Sequence, residues 1–130
     1  MKSVKDLNVY KLAFKLTVDI YGITEKFPQV EQFGLVSQMR RAAVSICSNL
    51  AEGASRVSKC DYRHFVGIAR GSAAELECQL DLAVALGFVK ADIAHKIQEN
   101  ITEVLKMLSG LLSSLTRTTN TNHLIRPGAK

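Results

Sequence analysis

Residues 35–50 read LVSQMRRAAVSICSNL. Leu35, Met39, Ala42, Ile46 and Leu50 recur at steps of four, three, four and four, the spacing that keeps side chains on one face of an α-helix. A strand would alternate its faces at every second residue. A stripe of this kind is the seam of a helix bundle. It predicts a helix over about residues 32–55, with Gly53 and Ser55 weakening its end.

The same pattern extends in both directions. Toward the N-terminus, Leu7, Tyr10, Phe14, Leu16, Val18, Tyr21 and Phe27 predict a helix over about residues 6–26, with Asp6 as its N-cap. Phe27-Pro28 ends it, because the residue before proline is pushed out of the α region. Toward the C-terminus, Ser58 caps a third helix over about residues 59–86, with Asp61 in its first turn and Gly87 as its stop. Its inner face is read as Phe65, Ile68, Ala69, Ser72, Leu76, Leu80, Ala83 and Leu86. Gly67 and Gly71, four apart within it, read as a device for close helix approach. A fourth helix starts near Lys90 or Ala91, with a seam of Ile93, Ile97, Ile101, Val104 or Leu105, Leu108, Leu112 and Leu115.

Short links between long helices make neighbours antiparallel. The expected fold is therefore all-α, an up-down-up-down antiparallel four-helix bundle. Residues 1–115 form the bundle domain, and residues 116–130 a flexible basic C-terminal tail rich in Thr and Asn without periodicity.

Composition agrees with one domain. The 130 residues are 47 % hydrophobic with two prolines and no tryptophan, enough to bury a core without disulfides or metals. The N-terminal stretch MKSVKDLNVYKLAFKL is broken by Lys5, Asp6, Lys11 and Lys15 and does not read as a signal peptide. No apolar run approaches the roughly 20 residues that span a bilayer. The chain reads as cytoplasmic, with no membrane partner. The three cysteines, Cys47, Cys60 and Cys78, show no CxxC spacing, which excludes a zinc ribbon and disfavours a disulfide framework. Cys47 reads as a small buried hydrophobe.

The residues that catalysis requires are not arranged for it. His64, His95 and His123 lie far apart, without HxxxH or ExxH spacing. There is no GxSxG, Walker-type loop or GxGxxG. No catalytic residue, metal site or cofactor is predicted, and the chain is read as a non-enzyme.

One polar constellation stands out. Gln38, Arg41, Ser45, Asn49 and Glu52 run along helix 2 beside its seam, and Ser72 and Glu75 form a similar pair on helix 3. Polar groups at the edge of a core need partners. The strip predicts a network that joins the two helices or seals a subunit contact; the sharper alternative is a site for a phosphate or a protein partner.

Net charge is +5. Residues 1–30 carry five Lys against three acids, and residues 116–130 carry Arg117, Arg126 and Lys130 with no acid. Along the chain, most of the excess lies at the two ends.

The stretch Phe27-Pro28, then GLVSQMRRAAVSICSNLAEG at 34–53, Tyr62–Phe65, and IARGSAAELECQL at 68–80 closely resembles the four-helix-bundle family of 23S rRNA intervening-sequence proteins. DLNVYKLAFKL at 6–16 is similar to the family's first helix, so the likeness covers about residues 5–112. By position the family motif falls on Gln38, Arg40, Arg41, Ser45, Asn49, Glu52, Gly53, Ser72 and Glu75. The resemblance implies a homopentamer. It also implies kinship with the accessory variability proteins of diversity-generating retroelements, basic pentamers that bind nucleic acid and partner a reverse transcriptase.

Two functions follow as expectations. The first is a homo-oligomeric binder of RNA or DNA, pentameric as the resemblance implies. Its cations would be Lys2, Lys5, Lys11, Lys15, Arg40, Arg56, Arg117, Arg126 and Lys130, multiplied by symmetry. With three Tyr and five Phe, mostly at core spacing, sequence-specific readout by base stacking is not expected. The second is a scaffold or accessory subunit that docks a partner such as a reverse transcriptase.

Overall fold

A computed structural model describes residues 3–125, with side chains to residue 116. Among the described residues there are four α-helices: α1 (Asn8–Thr24), α2 (Leu35–Ala54), α3 (Lys59–Ala85) and α4 (Ala91–Ile125). Each packs on its neighbours in chain order and α1 also packs on α4; among the described residues the backbones of the diagonal pairs α1–α3 and α2–α4 stay apart. The result is an antiparallel four-helix bundle of square section, as the seams and short links predict.

Local chemistry sets the helix ends. Ser58 caps α3 as expected, its hydroxyl accepting the Asp61 N–H at 3.1 Å. At the other end of α3, Gly87 takes φ +79, and Phe88 N–H reaches back to the Ala83 carbonyl at 2.9 Å. A glycine in that left-handed conformation closes a helix without steric cost. Asp6 does not cap α1. It belongs to a preceding 3-10 turn (Val4–Asp6), where its carboxylate accepts the Ser3 N–H and Ser3 accepts the Lys5 N–H. The first turn of α2 is served from outside the helix, by Glu31 Oε1 accepting the Leu35 N–H at 3.2 Å.

α4 continues ten residues beyond Leu115, into the stretch read as a tail. Thr and Asn are poor helix formers but not breakers. The first breaker is Pro127, and a helix ordinarily ends before the residue preceding proline.

The core is a continuous cluster down the bundle axis. α2 buries Met39, Ala42, Ile46 and Leu50, and α4 buries Ile97, Ile101, Val104, Leu108 and Leu115, all on the expected seams. α1 differs. It buries Val9, Ala13, Leu16 and Ile20, whereas Phe14, Val18 and Tyr21 are exposed. Apolar residues occur around much of α1, so hydrophobicity alone did not separate the inner face from the outer one. Ile68, Leu86 and Ile93 are likewise exposed, while Val66, Ala73 and Ala94 are buried. Gly67 and Gly71 do not bring helices of this chain together: a Cβ on either would meet nothing within 4 Å. Gly53 is the close-approach glycine, with Phe65 and Tyr62 side-chain carbons 3.0 Å from where its Cβ would stand.

Candidate functional site

The polar strip is partly a network. Where α2 crosses α3, the Ser45 and Ser72 hydroxyls lie 2.8 Å apart. Asn49 Nδ2 donates to the Ser45 carbonyl at 2.8 Å and to its Oγ at 2.9 Å. These three half-buried side chains satisfy one another and tie α2 to α3 at one height. The rest of the strip stays outside. Gln38, Arg41, Glu52 and Glu75 are exposed. Glu52 pairs with Arg56 one turn on, at 2.7 Å, and the Arg56 guanidinium lies 4.9 Å from the Phe65 ring centre. Gln79, absent from the sequence reading, is 5 % exposed, and its Oε1 has no hydrogen-bond partner among the described residues. Its signal was there: it lies seven residues after Ser72, on the same face of α3.

The thiols separate by environment. Cys60 and Cys78 are exposed and free, and Cys47 is half-buried. Burial pushes the Cys47 thiol pKa up, partly offset by its hydrogen bond with Thr17. Burial likewise raises the Tyr62 phenol. Among the described residues, no three His, Cys, Asp or Glu side chains gather as a metal site. An open groove of about 1250 Å³ between α1 and α4 sets an apolar floor of Val18, Ile23, Phe88 and Ile93 among Lys15, Lys26, Lys90, Lys96, Asp19, Asp92 and Glu99.

The predicted cations meet different fates. Arg40 is committed within the chain: its Nε donates to Thr24 Oγ1 at 2.9 Å, and its guanidinium lies 4.5 Å from the Tyr21 ring centre. Arg56 is held by Glu52, and Lys15 pairs with Asp19 at 3.0 Å. Lys5 and Lys11 are exposed. Lys2, Arg126 and Lys130 lie outside the described residues, as does the side chain of Arg117.

Charge is segregated along the bundle axis, which the linear tally conceals. Cross-helix bonds set the heights. The Thr17 hydroxyl donates to the Ala43 carbonyl at 3.1 Å, Ser45 meets Ser72, and Glu77 and Arg70 on α3 bond Gln98 and Ser109 on α4. Cut at that mid-height, one half holds Lys5, Lys11, Lys15, Arg56, Lys59, Arg63, Arg70 and Lys106 against Asp6, Glu52 and Asp61, a net +5 over side chains described. The other half holds Lys26, Arg40, Arg41, Lys90 and Lys96 against nine acids, a net −4. Lys59, Arg63, Arg70 and Lys106 join the cationic half although the sequence reading did not single them out. Antiparallel topology brings them there, because the start of α3 and the later part of α4 share one end of the bundle with the start of α1.

Compared with known families, the chain matches the one described as 23S rRNA-intervening sequence protein over residues 5–110. No curated protein matches it significantly. Among solved structures it is similar to a Bacteroides thetaiotaomicron protein of unknown function from the S23 ribosomal protein family, with a TM-score of 0.73 at 23 % identity, covering 80 % of this chain and 97 % of that one. That likeness is one of fold.

Proposed function

The chain belongs to the 23S rRNA-intervening sequence protein family, and from that premise we propose that it is a non-enzymatic, self-assembling bundle that binds RNA or DNA through its cationic half. The observation that carries this reading is the charge segregation. Seven of the eight described cations in that half are exposed, with three acids among them. Phosphate backbones are bound by such clustered cations with release of counterions, independently of base sequence. Self-assembly, with five subunits as the family resemblance implies, would repeat the cationic half around one axis and deepen its potential.

The test is fluorescence anisotropy of labelled RNA and DNA at two salt concentrations, with oligomer mass measured on the same sample. Binding by an oligomer that weakens steeply with salt supports the proposal. No binding at low salt by a well-formed oligomer overturns it and favours the scaffold reading, in which the assembly docks a protein such as a reverse transcriptase.

A further inference from the structure

Two stripes on diagonally opposite corners of the bundle face outward from the core; the first is flanked within the chain only at its edges, by Arg40 4.5 Å from the Tyr21 ring centre and by Tyr10 6.2 Å from the Phe14 ring. On α1, Phe14, Val18 and Tyr21 follow at steps of four and three and are 55 %, 59 % and 43 % exposed. They form a bulky ridge turned away from the core residues Ala13, Leu16 and Ile20. On α3, Gly67, Gly71, Ala74 and Cys78 follow at steps of four, three and four, and all four are exposed. There the helix backbone is nearly bare, since a Cβ on either glycine would meet nothing within 4 Å.

The two stripes stand at the same height. Thr17 is level with Ala43 through its 3.1 Å hydrogen bond, and Ser45 is level with Ser72. Because α2 and α3 are antiparallel, Ala43 lies level with about Ala74. α1 and α3 run parallel, so Phe14 stands level with Gly71, Val18 with Ala74 and Tyr21 with Cys78, each within about one residue rise of roughly 1.5 Å. Copies in a closed ring are related by rotation alone, which shifts nothing along the ring axis. With bundles standing along that axis, a contact between different faces of identical copies requires such a match in height. A foreign partner imposes no such condition.

We propose that the Phe14–Val18–Tyr21 ridge of one copy packs into the Gly67–Gly71–Ala74–Cys78 strip of the next, head to tail. The proposal rests on the self-assembly reading above and names its contact. Bulk entering a strip of bare backbone lets two helices approach closely, and it covers the apolar surface that α1 leaves exposed in the single chain.

The test uses the full chain. Gly71→Leu fills the strip where the subunit itself has room, and leucine is a better helix former than glycine. The expected result is unchanged helix content by circular dichroism with a mass, by light scattering, reduced to the 14.3 kDa of one chain. Independently, Tyr21→Cys in a background of Cys47→Ala and Cys60→Ser leaves Cys78 as the facing thiol. Mild oxidation should then give a ladder of covalent multimers on a non-reducing gel, since every copy offers both halves of the contact. Glu103→Cys on α4, in the same background, should give none. An oligomer that survives Gly71→Leu and yields no ladder overturns this contact while leaving self-assembly standing. A wild-type chain that is monomeric at every concentration overturns both.

Discussion

A side chain at Gly53 has nowhere to go. Its Cβ would stand 3.0 Å from Phe65 Cβ and Tyr62 Cδ1 and 3.3 Å from the Tyr62 carbonyl, and the backbone atom cannot swing aside. Alanine ordinarily improves a helix interior by up to about 1 kcal/mol over glycine. At Gly53 that gain is outweighed by prising α2 from α3, so Gly53→Ala should lower stability by about 1–3 kcal/mol in urea unfolding. Gly67→Ala, in open space, should not lower the stability of the single subunit. Glu52 behaves differently. It lies eleven residues from Arg41 on the same helix, roughly 16 Å along the axis, so the two never face each other; its partner is Arg56, and both side chains are about half exposed. Glu52→Ala should therefore cost under about 0.5 kcal/mol, the scale of an exposed pair one turn apart; a loss of several kcal/mol would mean that a buried charge had been stranded. Among the thiols, Cys60 should react quickly with a disulfide reagent near pH 8 and Cys47 slowly, because burial holds its thiol protonated. The sign for stability follows. A pKa raised in the folded chain favours folding below the thiol's ordinary value of 9.0 and loses that contribution as pH climbs past it.

The helices were legible in proportion to how one-sided they are. α2 and α4 carry a single stripe, and their seams could be read directly. α1 carries two, an inner one of Val9, Ala13, Leu16 and Ile20 and an outer one of Phe14, Val18 and Tyr21; the larger residues drew the reading outward, although small Ala13 is the buried one. Boundaries marked by a cap or a left-handed glycine, Ser58 and Gly87, were readable from residue chemistry alone. The end of α4 was not, because weak helix formers such as Thr118 and Asn120 were weighed as though they were breakers. Of the polar strip, the sequence grouped Ser45, Asn49 and Ser72, side chains that hydrogen-bond one another where α2 meets α3. It also grouped the exposed Arg41 and Glu75, whose chemistry is alike but whose orientation only packing decides. The Ser45–Ser72 bond offers a check at this scale. In a double-mutant cycle, Ser45→Ala and Ser72→Ala should show a coupling of about 1 kcal/mol, one hydrogen bond's net contribution. Additive effects would mean that the two helices are aligned by apolar packing alone.

At the scale of the whole molecule, charge and topology have to be considered together. Read along the chain, the excess lies at the termini; folded, four antiparallel helices sort it into a cationic half and an acidic half. The consequence separates placement from net charge. Lys5→Glu with Lys59→Glu acts on the cationic half, and Lys90→Glu with Lys96→Glu on the acidic one. Each pair lowers net charge by the same four units and touches only exposed side chains, so neither should disturb the fold. If nucleic acid rests on the cationic half, the first pair should weaken binding strongly. Losing two phosphate contacts should also flatten the plot of log affinity against log salt by about 1.4 for a single strand, at roughly 0.7 per contact. The second pair should leave that slope unchanged and cost only the modest, salt-screened effect of distant charge. Equal losses from both pairs would show that binding follows net charge alone, and the segregation along the bundle would then have no part in recognition.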